Sequence, residues 1–443
     1  MSESTKGLAV RQIAVQTLHQ VLDKGLLVEE ALDGNPGTRL LEPRDRAFLH
    51  AIVLASLRHK GEIDHVLGQL LSKPLPRKSG SARWVLHTGA AQLLFLEAAP
   101  HAVIDLAVRA ARLDSNAQHF TGLINAVLRK LSLGSKSMLA GLDAARLNTP
   151  DWLWTRWERN YGREISAGIA AAHMLEPALD VSVKSDAALW AGRLGGTLLP
   201  TGSIRLDQEH DAVDQLPGFS EGAWWVQDAA SALPVLLFGD VLGRSVLDLC
   251  AAPGGKTMQL SAAGARVTAM DKSPQRLRRL NENLQRVGLP AEVVVGDAHE
   301  CDPSLQYDGV LLDAPCSATG TVRRHPELAY VKDDGIVSRL RADQARLLRR
   351  AASVVKPGGT LVYCTCSLEP EEGERQIGSF LRSHPEFALA RIAAGEGGIE
   401  PHMVTGEGCL RTLPSMLIGT SSGLDGFFAA RFVRSGNSSL GVR

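Results

Sequence analysis

The sequence predicts a multidomain protein with an all-α segment first, a small α+β module second and a doubly wound α/β domain last. Three observations carry this. Apolar residues recur at helical spacing through residues 8–132, with none of the alternation that marks strands. At residues 245–257, SVLDLCAAPGGKT, a short apolar run meets a Pro-Gly-Gly turn and then a stretch suited to a helix. That is how nucleotide-binding sheets open, because glycines let backbone approach a ligand at a helix N-terminus. Four more strand-like runs follow, interleaved with helical segments.

Composition bounds the class. The chain has 443 residues, 44% hydrophobic and 22% charged, with a formal net charge of zero, ordinary for a globular protein of about three domains. No apolar run approaches the ~20 residues that span a bilayer. The start, MSESTKGLAV, lacks the pattern of a signal peptide. A cytoplasmic monomer without a membrane partner is expected. Six cysteines are too few for a disulfide scaffold, and they show no zinc spacing, so no metal is expected. Residues 1–140 carry 17 Lys and Arg against 12 Asp and Glu, a modest positive excess; basic clusters of this kind are more often solvated helix faces than nucleic-acid binding patches, and both readings stay open on charge alone.

Residues 1–140 form the helical domain. Ile13, Val15, Leu18, Val21 and Leu22 make one apolar face, and Phe48, Ile52, Val53 and Leu57 another. Further helices run near 81–97, 101–113 and 117–131, with a basic loop at 73–80. The module at 141–235 opens on a helix for which Thr149 is the expected N-cap, Pro150 the first residue and Gly162 the stop. Trp154 and Trp157 share one face of it and Trp152 points elsewhere; core packing is their expected role. Short strands at 179–183 and 196–204 follow. Gln227 and Asp228 either touch substrate or cap the helix after them, the cap being preferred. Residues 236–443 make the α/β domain, with strands at 246–249, 266–270, 291–295, 309–312 and 360–364, and a last strand at 425–433 with a partner near 411–417.

The strand ends carry the chemistry. The first turn reads A-A-P-G-G-K rather than G-x-G-x-x-G, and Pro253 removes an amide donor, which argues against a pyrophosphate ligand. Asp271 ends the second strand, where a carboxylate accepts both ribose hydroxyls. Asp297 follows the third, within reach of an adenine amino group. Both also fit plain helix capping. Together they suit an adenosine ligand, commonly S-adenosylmethionine, with Lys256 orienting it or the base, or closing the turn. Asp313 and Cys316 in DAPCSATG follow the fourth strand, and Cys366 in YCTCS follows the fifth. Two cysteines and a carboxylate converging on one pocket suit methylation at C5 of a pyrimidine. A thiolate adds to C6, C5 then attacks a methyl donor, a proton leaves C5, and a carboxyl group supports N3. The thiol needs nearby positive charge to ionise near neutrality; Lys256 and Arg323 are candidates.

Two resemblances sharpen this. RQIAVQTLHQVL near the start and residues 44–64 resemble the NusB family of helical RNA-binding factors. CAAPGGKT at 250–257, DAPCSATGTVRRHPE at 313–327 and TCSLEPEEGE at 365–374 resemble the RNA cytosine-5 methyltransferases of the RsmB/Sun/Fmu type. The resemblance implies a Rossmann-like class I methyltransferase domain. It implies that Cys250, Ala251, Ala252, Pro253, Gly254, Gly255 and Lys256, with Asp271, Asp297 and Asp313, bind S-adenosylmethionine. It implies that Cys366 is the nucleophile, Cys316 assists release, and Asp313 supports N3. With a NusB-like domain attached, the implied substrate is cytosine 967 of 16S rRNA. A tRNA substrate, or a non-catalytic role in ribosome assembly, are the alternatives. The sequence departs from the family at Cys364, where a small or hydroxyl residue is usual, and at Ala318, where glycine is common. Neither is expected to touch a residue with an assigned role.

Overall fold

In the computed structural model, which describes residues 3–207 and 210–436, the chain divides into two compact units. The first comprises residues up to 175 together with 322–333, the second 176–321 and 334 onward. The segment 141–235, expected as one module, supplies helices to the first unit and strands to the second.

The first unit is helical throughout. Its core gathers Val10, Leu18, Leu49, Ile52, Val53, Ile63, Leu86, Ile124 and Leu128, all essentially excluded from solvent. These sit on the faces that the 3.6-residue spacing marks out. The helix expected to start at Pro150 runs Asp151–Tyr161, with Pro150 in the cap position. Thr149 does not cap it, because its hydroxyl donates backward to the carbonyl of Ala145 at 2.8 Å. Gly162 stops the helix at φ +80°, a left-handed conformation open to glycine. Trp157 is fully buried. Trp152 points elsewhere, its indole N–H donating to the carbonyl of Ala329 at 3.0 Å. Residues 322–333 are thus tied into this unit: Arg58 donates to the carbonyl of Arg323 at 2.9 Å, and the Tyr330 hydroxyl to that of Asn148 at 3.1 Å.

The second unit opens with a small antiparallel sheet of β1 (Leu179–Val183), β2 (Thr197–Leu198), β3 (Ile204–Leu206) and β4 (Trp224–Val226), in the order β2-β3-β1-β4. The large sheet follows: β5 (Ser245–Leu249), β6 (Arg266–Asp271), β7 (Glu292–Val295), β8 (Tyr307–Asp313) and β9 (Val355–Thr365). These five are parallel, in the order β9-β8-β5-β6-β7. The chain adds β6 and β7 on one side of β5, then β8 and β9 on the other. The reversal leaves a crevice beyond the carboxyl ends of β5 and β8, where ligands of such sheets bind. After β10 (Phe387–Leu389), β11 (Leu410–Thr412) and a small hairpin of β12 (Leu417–Ile418) and β13 (Ser421–Ser422), β14 (Phe427–Arg434) runs antiparallel to β9, β10 and β11.

Both faces of the sheet are covered. Val246, Leu311 and Val362 pack on one side with Leu233 and Leu260, while Leu247, Val310, Leu312 and Tyr363 pack on the other with Leu347 and Leu348. Double burial is why these strands read as unbroken apolar runs rather than alternating ones. Each fully buried aliphatic side chain contributes about 1.5–3 kcal/mol, which fixes strand order and hence the side chains that meet at the crevice.

Candidate active site

Register brings the predicted residues together. Asp313 ends β8 directly opposite Cys364 on β9, and Leu249, just before Cys250, lies opposite Leu312. Cys316 lies three residues beyond β8 and Cys366 one beyond β9. Their sulfurs are 3.4 Å apart. The loops carrying them are stitched by the Gly320 N–H, which donates to the Cys366 carbonyl at 3.0 Å, and by the Gly426 N–H, which donates to the Gly320 carbonyl at 2.8 Å. A Cβ on Gly320 would lie 1.9 Å from the Gly426 carbonyl oxygen, so only glycine allows this approach.

The Lys256 ammonium donates to Asp313 at 2.9 Å and to the Ser231 hydroxyl at 3.1 Å, and it sits 4.8 Å from the centre of the Phe427 ring. Burial is the largest single influence and opposes its charge, but Asp313 together with its other anionic neighbours holds its pKa above the ordinary value. Lys256 is therefore engaged with Asp313. Arg323, the other candidate for thiolate activation, lies buried in the first unit. The sulfur that does face Cys366 is that of Cys316. Its hydrogen bond to Cys366, with burial added, pushes its pKa well above that of a free thiol. Either sulfur can donate the hydrogen bond between them.

Cys364 does touch a predicted site residue, contrary to expectation, with its Sγ 3.6 Å from Asp313 Oδ1. Burial, then the Asp313 carboxylate, raises its pKa well above normal, so it acts as a neutral donor to Asp313. Ala318 adopts φ +57°, which explains on steric grounds why glycine suits that position.

The other predicted residues line two cavities. One, of about 50 Å³, includes Cys250, Asp271, Gly296, Asp297 and Pro315. Asp271 is 3% exposed and accepts from the amides of Ala252 at 3.2 Å and Ser273 at 2.9 Å. Asp297 accepts from the His299 amide at 2.9 Å, so it caps a turn while its side chain borders this cavity. The second, of about 290 Å³, is lined by Trp225, Ser231, Asp248, residues 251–253, Gly255, Lys256 and Asp313. Gly254 turns the loop at φ +106°. Asp228 caps the next helix, its Oδ1 accepting from the Ala230 amide at 2.9 Å. Gln227 accepts from the Trp225 indole at 2.7 Å.

Two residues escaped the sequence reading. Asp248 is fully buried; its Oδ2 accepts from the Thr257 hydroxyl at 2.6 Å, and Oδ1 has no partner among the described residues. Burial first, with Asp313 adding repulsion, pushes its pKa up to about 7. The signal was a charge between two buried leucines. Glu372, also fully buried, accepts from the Ser317 amide at 2.9 Å, the Ser317 hydroxyl, the Ser367 hydroxyl at 2.5 Å and Gln344 at 3.0 Å. The signal was a serine after each of the two cysteines. No group of His, Cys, Asp and Glu among the described residues is placed to hold a metal, and no helix among them is long and apolar enough to cross a membrane.

The chain is 36% identical to the ribosomal RNA small subunit methyltransferase B of Sodalis glossinidius, over 96% of this chain and 98% of that one. It is 34% identical to the protein of the same name from Cronobacter sakazakii, over 97% and 99%. The fold matches the crystal structure of PH0851 with a TM-score of 0.74 and 24% identity, covering 98% and 99% of the two chains. A methyltransferase homolog from Pyrococcus horikoshii matches with a TM-score of 0.54 and 27% identity, covering 63% of this chain and 93% of that one. The NusB family model matches residues 8–132 and the 16S rRNA methyltransferase RsmB/F model residues 240–433; the chain belongs to the RsmB/F family of 16S rRNA methyltransferases.

Proposed function

We propose that the protein methylates C5 of one cytosine in 16S rRNA, position 967 by family resemblance, through a covalent bond between Cys366 and C6. The observation that carries this reading is the pair of sulfurs 3.4 Å apart beyond adjacent strands, beside a carboxylate that holds an ammonium. Amino-group methylation requires no such pair.

The residues present fit S-adenosylmethionine. Asp248 offers a buried oxygen without a partner on the wall of the larger cavity, a match for a ligand's ammonium group. Asp271 and Asp297 border the smaller one and would hold the adenosine end, with residues 250–256 and Asp313 holding the rest. When bound, S-adenosylmethionine supplies an electrophilic methyl group.

Cys366, in the thiolate form that addition requires, places its sulfur on C6 beside Cys316. The ring's electrons move toward C5 as N3 takes a proton that the Lys256 ammonium passes through the Asp313 carboxylate; such preorganised charge is the large term in catalysis of this kind. Once C5 carries the methyl group, its proton passes to water and the electrons of that bond restore the 5,6 double bond. The Cys366 sulfur leaves with the electrons of the C–S bond, N3 returns its proton through Asp313 to Lys256, and the Cys316 thiol donates to the departing sulfur. Bisulfite sequencing of 16S rRNA, from a deletion strain and after incubation with the purified protein, tests the reading. A site that reads as 5-methylcytosine only with the protein present is expected; rRNA unchanged in both comparisons would overturn it.

A further inference from the structure

The mechanism leaves unused a buried carboxyl group that lies against both cysteine loops. The Glu372 carboxylate is entirely excluded from solvent, yet the hydrogen bonds recorded to it come from an amide N–H, two hydroxyls and a side-chain amide. An ionised carboxylate without a cation to balance it is costly to bury, so its position calls for a reason. Its partners supply one. Ser317 directly follows Cys316 and Ser367 directly follows Cys366, and one oxygen of Glu372 accepts from both hydroxyls. The same residue's carbonyl accepts from the Tyr363 hydroxyl at 2.7 Å, anchoring the turn to β9. Gln344 ties the carboxylate to the Pro315 carbonyl at 2.9 Å on the other side of Cys316.

We propose that Glu372 is a positioning residue that assigns the two thiols their parts: it clamps both cysteine loops and sets its negative charge against Cys316, so that Cys316 keeps its proton and Cys366 is left to attack. This rests on the function proposed above and adds how the site distinguishes two chemically identical groups. The surroundings are consistent with it. After the Cys366 hydrogen bond and burial, the repulsion of the Glu372 charge is among the causes that raise the Cys316 pKa. The other titratable groups packed here are Tyr363 on β9, itself raised by burial, and Arg411 on β11. Arg411 is taken up by Glu374 at 2.7 Å and by the Ser367 carbonyl at 2.5 Å. Lys256 and Asp313 adjoin Cys364.

The test is the pH dependence of alkylation of each cysteine in the full-length protein, followed by peptide mass spectrometry after iodoacetamide treatment. In wild type, Cys366 is expected to react at lower pH than Cys316. In Glu372→Gln the Cys316 profile is expected to move down by about one unit, equivalent to tenfold in thiolate fraction. Methyl transfer is expected to fall by roughly 10²-fold in kcat, the scale of a 1 Å misplacement, with KM for RNA held within a factor of about two. Should Glu372→Gln not fold, Ser367→Ala keeps the charge and removes one grip: kcat drops while the order of alkylation persists. Unchanged alkylation profiles in Glu372→Gln, or unchanged kcat in Ser367→Ala, would overturn the proposal. Alkylation needs no RNA, so it still reads if the substrate assignment fails.

Discussion

The sulfurs of Cys316 and Cys366 lie 3.4 Å apart although 50 residues separate them in the chain. They meet because β8 and β9 are neighbouring parallel strands and each cysteine follows its strand end in a short loop. The division of labour proposed for them has consequences that can be measured one at a time.

Replacing Cys316 by Ala removes the donor to the departing sulfur but leaves the attacking one. The variant is expected to accumulate on RNA as an adduct that survives denaturing electrophoresis. A variant that turns over without such an adduct would show that Cys316 has no part in release.

Gly320→Ala drives a methyl group into the Gly426 carbonyl, and backbone on both sides leaves little room to relax. Overpacking of this kind costs about 3 kcal/mol or more, and here it also parts the loops that hold the sulfurs. Denaturant unfolding together with a methylation assay checks this; a variant as stable and active as wild type would contradict the stitching between residues 320, 366 and 426.

Ala318→Gly should act in the opposite sense. Relief of a left-handed alanine at φ +57° is worth about 1 kcal/mol, offset in part by the entropy of an unfolded glycine. A small rise in melting temperature is expected, and a clear fall would show that the methyl group packs usefully.

Asp248 sets a pH dependence. Its pKa rises from 3.8 in the unfolded chain to about 7 in the folded one, so between those values the folded state binds more protons. Stability contributed by this group is complete below pH 3.8 and declines as pH rises toward 7. Asp248→Asn removes the decline. Thermal melts from pH 4 to pH 8 are expected to show the variant gaining on wild type as pH increases; parallel curves would contradict the buried, protonated acid.

Much of this was legible in the sequence because the relevant signals are local. The 3.6-residue spacing of Leu18 or Ile52, the apolar runs at β5 and β9, and the cysteines and carboxylates at strand ends each announce themselves within a few residues. What was missed depends on contacts between distant segments. Glu372 appeared as one acid in a run of four, and only the fold brings Ser317 to it across 55 positions. Cys364 seemed neutral until the register set it against Asp313. Thr149 looked like a cap because the turn of helix before it, whose Ala145 carbonyl claims its hydroxyl, is too short to recognise by periodicity. Arg323 seemed part of the catalytic motif by sequence proximity, but residues 322–333 are held within the helical unit.

The most direct test of the mechanism uses 16S rRNA carrying 5-fluorocytidine at the target position. Fluorine cannot leave C5 as a proton does, so a thiol that has added to C6 stays attached after methyl transfer. Mass spectrometry of the digested complex is predicted to find the nucleotide on the peptide containing Cys366. Attachment at Cys316, or no covalent complex under conditions that methylate unmodified RNA, would contradict the account.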